Sequence, residues 1–210
     1  MKNREFTPEE LLTIASYNRS AETWAKSHSS IEFWSREFAI FRNYLPAGRI
    51  LEIGSGGGRD AKLFIGAGYD YIGTDVSEEL LNQARNANPD GIFLKQSVYD
   101  LIFPKGYFDG FWASAVLLHI PKTRLSEALR RINSITRKSG IGFISIKEGV
   151  GEKVEEEILE GEEFSRLFAY FSDAEFADFL YNNGFDILRH QRKPMSEKTI
   201  WLTYFVQTKK

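Results

Sequence analysis

Between residues 49 and 146 the chain alternates five strand-like runs with helical stretches, and this alternation restricts the fold more than any other feature. The runs are 49–53 (RILEI), 69–73 (YDYIG), 92–95 (IFLK), 108–113 (FDGFWA) and 141–146 (IGFISI). Helical patterns fall between them at about 60–67, closed near Gly68, at 77–87, with Glu78 and Glu79 in the first turn, and at 122–137, stopping before Gly140. Strands separated by helices run parallel, and a parallel sheet is covered on both faces. Right-handed crossovers leave few topologies for such a chain.

The ends of the chain complete this reading. Residues 7–45 are helical and rich in aromatic residues (Tyr17, Trp24, Phe33, Trp34, Phe38, Phe41, Tyr44) until Pro46 and Gly48 break the pattern. A capping box, Ser172-Asp173-Ala174-Glu175, opens a helix that runs to Gly184. Two last strands, 185–190 and 200–207, have no helix between them and are expected to pair as an antiparallel hairpin. The expectation is a doubly wound, mostly parallel, seven-stranded α/β sheet with an antiparallel C-terminal hairpin. A helical extension (1–45) precedes an α/β domain (46–210) that carries an insertion at about 148–171.

Composition excludes several functions. Lys and Arg number 27 and Asp and Glu 29, a net charge of −2, which argues against a broad basic face for nucleic acid or anionic membrane. No cysteine is present, so disulfides, cysteine nucleophiles and thiolate metal sites are ruled out. The three histidines (His28, His119, His190) lie far apart in sequence, and no metal site is expected. With a charged N-terminus and no apolar run near the ~18 residues that cross a bilayer, a soluble cytoplasmic protein is expected.

Glu52-Ile53-Gly54-Ser55-Gly56-Gly57-Gly58 stands where the first strand becomes the first helix. Glycines there permit positive φ and let a ligand touch the backbone, while the helix behind them offers unpaired amides. A dinucleotide fingerprint starting at Gly54 requires glycine or alanine at position 59, where this chain has Arg59. A phosphate-binding Gly-Lys-Ser/Thr is also missing. Asp75, 21 positions after Gly54, closes the second strand, where an acid can grip a ribose diol. It could instead cap the next helix, but Ser77 is the better cap. Glycine loop and acid together point to an adenosine-type ligand.

LEIGSGGGRDA followed by YIGTDVSEELLNQAR resembles motifs I and II of the class I S-adenosylmethionine-dependent methyltransferases. The resemblance continues through FDGFWASAVLLHIP and KSGIGFISIKEG to SDAEFADFLYNNGFDI, from about Tyr17 to the C-terminus. It implies a Rossmann-like methyltransferase fold with an N-terminal helical lid, S-adenosyl-L-methionine as cofactor, and methyl transfer to an acceptor. It further implies that Glu52, Gly54, Gly56 and Gly58 enclose the methionine end, that Asp75 binds the ribose hydroxyls, and that Val76 packs on the adenine. The family usually places an Asp after strand three to reach the adenine amine. Here Ser97 stands at that position with Val98 beside it, so either Ser97, Asp100 or a water makes that contact, or Ser97 is an ordinary loop hydroxyl. Ser114, after strand four, lies on the same ligand edge. Tyr17 and Trp24 suit the lid, and ordinary helix packing would explain Trp24 equally.

For chemistry, His119 is the candidate base, because it follows strand four on the ligand edge and imidazole titrates near neutrality. A backbone-bonded, structural histidine is the alternative. Glu148, just after strand five, is a second candidate, as a base or as a partner for a cationic substrate. His28 and His190 are expected to be structural. The acidic tract 154–163 (VEEEILEGEE) is expected to be a solvated, mobile insertion, since clustered like charges repel into solvent. The aromatics behind it, Phe164, Phe168, Tyr170 and Phe171, either wall a substrate pocket or pin the insertion to the sheet. With no Asn/Asp-Pro-Pro-Tyr/Phe run and no basic tract, a small-molecule acceptor methylated at O or N is expected, with no nucleic-acid or membrane partner; oligomeric state is unreadable. The competing readings are a non-catalytic cofactor-binding protein and, against the glycine register, a nicotinamide-dependent oxidoreductase.

Overall fold

The computed structural model describes residues 5–159, 161–196 and 199–209. Seven strands form one sheet in the order β3-β2-β1-β4-β5-β9-β8. Its parallel part is β1 (Arg49–Ile53), β2 (Asp70–Asp75), β3 (Ile92–Lys95), β4 (Phe108–Ser114) and β5 (Thr136–Lys147). The C-terminal hairpin of β8 (Phe185–Pro194) and β9 (Ile200–Thr208) joins antiparallel, with β9 against β5. This is the mostly parallel, doubly wound sheet that the alternation implies.

Alternating side chains serve two cores. On one face Phe111, Ala113, Ile144, Ile146, Tyr204 and Val206 pack with α6 (Lys122–Ile135) and α7 (Asp173–Asn182). On the other, Trp112, Phe143 and Phe205 meet Trp34, Phe38 and Phe41 around α3 (Ser35–Tyr44) and Phe64 of α4 (Ala61–Gly66). Period-two alternation assigns each strand's side chains to opposite faces. Trp112 and Phe143 stack on neighbouring strands at 3.9 Å between ring centroids.

The N-terminal helices are α1 (Pro8–Arg19) and α2 (Ala21–Ser27), followed by a 3-10 turn and α3. Thr7 opens α1 with a capping box, its hydroxyl accepting from Glu10 N–H while the Glu10 carboxylate accepts from Thr7 N–H at 2.7 Å. The same buried Glu10 accepts from Arg124 Nη1 at 2.7 Å and from the Tyr99 hydroxyl at 2.5 Å, which ties α1 to the body of the sheet.

Two sequence expectations are corrected. Helix α6 ends at Ile135 rather than near 137, and β5 starts at once at Thr136. Thr136 Oγ1 donates back to Ile132 O, and Thr208 Oγ1 donates to Arg137 O, so the chain enters the sheet between β4 and β9 instead of continuing the helix. The acidic tract is half of an ordered hairpin, β6 (Glu152–Leu159) and β7 (Glu162–Ala169). Its root is a bridge between Glu148 and Phe171. The open edge of β7 is covered by α1: Thr13 Oγ1 accepts from Leu167 N at 2.9 Å and Ser16 Oγ from Ser165 N at 3.0 Å. An exposed strand edge needs such a cover, and repulsion among the β6 carboxylates costs little once they alternate toward solvent. Among the described residues no helix is long and apolar enough to cross a membrane.

Gly142 on β5 tests the two-layer packing. A Cβ there would stand 2.1 Å from the Phe111 ring. Gly142→Ala is expected to destabilise the protein by about 1–3 kcal/mol, the usual cost of overpacking, read as a lower midpoint in urea unfolding.

Candidate functional site

Every parallel strand ends at one edge of the sheet, and there the loop 54–58 turns β1 into α4. Gly54 N and Ser55 N both donate to Thr74 O, at 2.8 and 3.0 Å, holding the loop against the end of β2. Gly56 adopts φ +51°, and a Cβ on it would meet nothing within 4 Å, so its open side faces free space. Its N–H donates to Asp75 Oδ2 at 2.9 Å, and Ser77 N donates to Oδ1 at 2.9 Å. Burial raises the Asp75 pKa, while these amides act in the opposite direction by favouring the charged form. Ser77, not Asp75, caps α5 (Glu78–Ala87), its hydroxyl accepting from Leu80 N at 3.1 Å.

Glu52 lies beneath the loop. It is buried, accepts from the Tyr71 hydroxyl, and is held well above the usual carboxylate range by burial and then by the charge of Asp60. Asp60 takes Arg59 Nε at 2.5 Å and Trp112 Nε1 at 2.9 Å. Gly58 stands apart from this group. A Cβ there would strike Asn88 Nδ2 at 2.5 Å and Ala84 Cα at 3.0 Å, and the residue does not line the cavity described next. Its glycine serves close packing on α5, which corrects its assignment as a ligand-enclosing residue.

A cavity of about 910 Å³ opens over this edge. Gly54, Gly56, Asp75, Val76, Ser97 and Val98 line one end, and Ser114 and His119 its middle. Tyr17, Trp24, Lys147, Arg166 and Phe168 close the far wall and roof. Helix α2 lies over the glycine loop, with Ala25 against Gly57. Among the described residues four buried side-chain polar atoms have no hydrogen-bond partner: Trp34 Nε1, Ser55 Oγ, Ser114 Oγ and Arg166 Nε. All four belong to residues that line this cavity. Leaving a buried polar group unpaired costs ~1–3 kcal/mol, so each of these atoms has hydrogen-bonding capacity the fold leaves unused.

The roof is organised by one chain of hydrogen bonds. Nδ1 of His119 lies 2.6 Å from Leu167 O, which can only accept, so that nitrogen carries the proton. Nε2 therefore accepts from the Tyr17 hydroxyl at 3.0 Å, and Tyr17 Oη accepts from Arg166 Nη1 at 3.2 Å. Burial pushes the His119 pKa down to about 3, with the charges of Arg166 and Lys147 adding to the effect. Burial likewise raises the Tyr17 pKa, keeping the phenol a donor.

A family profile described as a methyltransferase domain matches residues 51–144. The uncharacterized protein MJ1123 of Methanocaldococcus jannaschii is 31% identical over 172 residues, 80% of each chain. The chain belongs to the class I S-adenosylmethionine-dependent methyltransferase family. Two solved structures share its fold at low identity. One is 1,6-didemethyltoxoflavin-N1-methyltransferase of Burkholderia thailandensis, with bound 1,6-didemethyltoxoflavin and S-adenosylhomocysteine. Its identity is 21% and its TM-score 0.74, covering 100% of this chain and 94% of that one. The other is magnesium protoporphyrin IX methyltransferase of Synechocystis PCC 6803 with bound S-adenosylmethionine, at 14% identity and TM-score 0.75, covering 98% and 100%. The enzyme class of this methyltransferase follows from its family, and S-adenosylmethionine is its cofactor.

Within the methyltransferase cavity the structure gathers Tyr17, Glu52, Gly54, Gly56, Asp75, Val76, Ser97, Val98, Ser114 and His119, drawn from six separate segments. Two of the chemical assignments are corrected. Glu148 does not line the cavity; it lies half-buried on the outside of the β5 end, paired with Arg192 at 2.8 Å, because the strand's alternation turns Lys147 inward instead. His119 reaches the cavity, but both ring nitrogens are engaged, Nε2 with Tyr17 and Nδ1 with Leu167 O, so neither is free to take a proton in this arrangement. Asp100, too, is absent from the lining.

Sequence reasoning missed Trp34, Ser55, His28, Lys147 and Arg166. His28, expected to be structural, lines the cavity stacked on Trp24 at 3.5 Å. Phe164, Arg166 and Phe168 at spacing two were the available signal for a strand with one face turned inward.

The state of His119 has a measurable consequence. Unfolded, it binds a proton near its ordinary pKa of 6.5; folded, only near 3, so stability falls as pH drops through that window and is fully present above it. Between pH 7 and pH 5, His119→Gln is expected to lose less stability than wild type in chemical denaturation.

Proposed function

We propose that this enzyme transfers the methyl group of S-adenosylmethionine to an oxygen or nitrogen of a small molecule held beneath the α1–α2 helices and the β6–β7 hairpin. The observation that carries the reading is the continuity of the cavity. One continuous cavity is lined by the Asp75 carboxylate and the Gly56 backbone, by Ser114, and by side chains of the N-terminal helices and the insertion. Pockets of roughly 300–1,000 Å³ suit small ligands, and this one stands near the upper end, consistent with a cofactor and a modest acceptor side by side. No broad basic track accompanies it, since the net charge is −2.

In this reading Asp75 is the ribose anchor. A carboxylate has about four lone-pair sites, and the Gly56 and Ser77 amides leave room for two hydroxyl donors. Val76 and Val98 supply apolar surfaces for the adenine, and Ser97 Oγ, which accepts only from Tyr99 N at 3.2 Å, keeps acceptor capacity for the exocyclic amine. Glu52, Gly54 and Gly56 surround the amino-acid end, and the unpaired hydroxyls of Ser55 and Ser114 provide further polar contacts there. Helices α1 and α2 act as a lid, with Tyr17 and Trp24 on its inner surface.

When bound, S-adenosylmethionine would supply an activated methyl group to a lone pair of the acceptor, with the neutral thioether as leaving group. What the chain contributes is alignment and exclusion of water. Reacting groups held close and in line can gain ~7–11 kcal/mol over free encounter. The Arg166–Tyr17–His119–Leu167 chain holds the roof in one geometry, so His119 is a positioning residue here, not the base.

Two variants test the reading by calorimetry with S-adenosylhomocysteine. Asp75→Ala is expected to weaken binding at least tenfold in a protein that remains folded; unchanged affinity removes the ribose role. Ser114→Ala is expected to leave the ligand-free protein as stable or slightly more so, because it removes an unpaired buried hydroxyl, while reducing the ligand-induced rise in Tm. A stability loss with an unchanged rise would mean that Ser114 is structural.

A further inference from the structure

The cavity lining carries two cations, Lys147 and Arg166, that the cofactor assignment leaves unused. Lys147 ends β5, two strands across from β1, so its backbone lies roughly 10 Å from the ribose-anchoring edge at ~4.8 Å per strand. Among the described residues its ammonium makes no hydrogen bond or close ion pair; it stands 3.9 Å from the Phe168 ring centroid and feels the charges of Glu155 and Glu157. Arg166 is buried among four rings, those of Tyr17, Trp24, Phe164 and Phe168, and it shares Phe168 with Lys147. Nη1 of Arg166 is committed to Tyr17 and Nη2 to Glu157, while Nε has no partner.

We propose that the methyl acceptor is an acid, and that its carboxylate is bound by Lys147 and Arg166 in the cavity. The proposal rests on the methyl-transfer reading above and adds the charge of the acceptor to it. Two like charges flanking one ring in a buried site repel each other, and an unpaired buried cation is costly. Glu157 offsets one of them, and the nearby Glu155 is already held by Lys153 at 2.7 Å and the Tyr170 hydroxyl at 2.6 Å. A single positive charge is left over. One carboxylate, with two oxygens for an ammonium and a guanidinium N–H, matches it in charge and in donor count. A phosphate dianion would exceed it. Burial lowers the Lys147 pKa, with Arg166 and Lys153 adding to the effect and Glu155 and Glu157 opposing it. Phe168 and the Tyr17–Trp24 pair provide apolar surface for the body of such an acid.

The test is binding to the full-length enzyme saturated with S-adenosylhomocysteine. The probes are matched pairs of small carboxylic acids and their primary amides, beginning with 4-hydroxybenzoate and 4-hydroxybenzamide and with indole-3-acetate and indole-3-acetamide, with inorganic phosphate as a separate arm. Acids are expected to bind at least tenfold more tightly than their amides by thermal shift and calorimetry. That preference should disappear in Lys147→Met and survive in Lys147→Arg. A panel in which no acid outperforms its amide, a preference that survives Lys147→Met, or phosphate binding more tightly than every acid overturns the proposal. So does a Lys147→Met variant that weakens S-adenosylhomocysteine tenfold but spares 5′-methylthioadenosine, since the two cations would then hold the cofactor's own carboxylate. Undiminished S-adenosylhomocysteine binding by Lys147→Met alongside a failed acid panel would leave the cofactor site standing and remove only the acidic acceptor. Failure of the wild type to bind S-adenosylhomocysteine would instead strike the underlying reading.

Discussion

β1 is hydrogen-bonded on both sides, Leu51 facing Ile72 of β2 and Phe111 of β4, and the site depends on that central position. Because the three strands run parallel, their carboxyl ends leave the sheet at one edge, and the loops after them share a single crevice. The glycine loop is then clamped sideways, by Thr74 O onto Gly54 and Ser55 and by the Gly56 amide onto Asp75. A strand order that separated β1 from β2 would part the loop from the carboxylate.

Over this rigid edge the chain builds a roof from two pieces remote in sequence. α1 lends hydroxyls to the edge of β7, and β7 in turn carries Arg166 and Phe168 into the cavity. The junction is polar by necessity: backbone amides on a strand edge need acceptors, so Thr13 and Ser16 are buried where an amphipathic helix would ordinarily bury leucine. Tyr17 belongs to the same seam, joining the helix to His119 and to the hairpin at once. The roof therefore holds its shape through directional bonds, while the floor is held by sheet register and aromatic packing.

Legibility in sequence followed the range of the interactions. β1 to β5, the glycine turn, the Ser77 cap and the Ser172 cap were readable because periodicity and capping are local; the reciprocal half of the expected capping box is not formed, Glu175 pairing with Lys122 instead. The β6–β7 pairing was not read because Glu155, Glu156 and Glu157 pointed to a solvated tract; Glu156 and Glu157 are exposed, but the tract is also a strand paired with β7, whose outer edge is covered by α1, some 150 residues away. Gly58 and Glu148 were misplaced for a related reason. Spacing locates a residue on an element, but whether Gly58 faces a ligand or Asn88, and whether Glu148 faces a cavity or Arg192, depends on a neighbour that spacing does not name.

The sequence by itself determined the parallel sheet, the loop that turns β1 into α4 and the acid at the end of β2, because each is encoded in a run of about ten residues or fewer. Tertiary structure alone decided the protonation and hydrogen bonding of His119, the inward turn of Lys147 and the burial of Arg166 among four rings. Desolvation and charge pairing are properties of the space around a group, and that space is assembled here from α1, β4, β5 and β7, which meet only when the chain has folded.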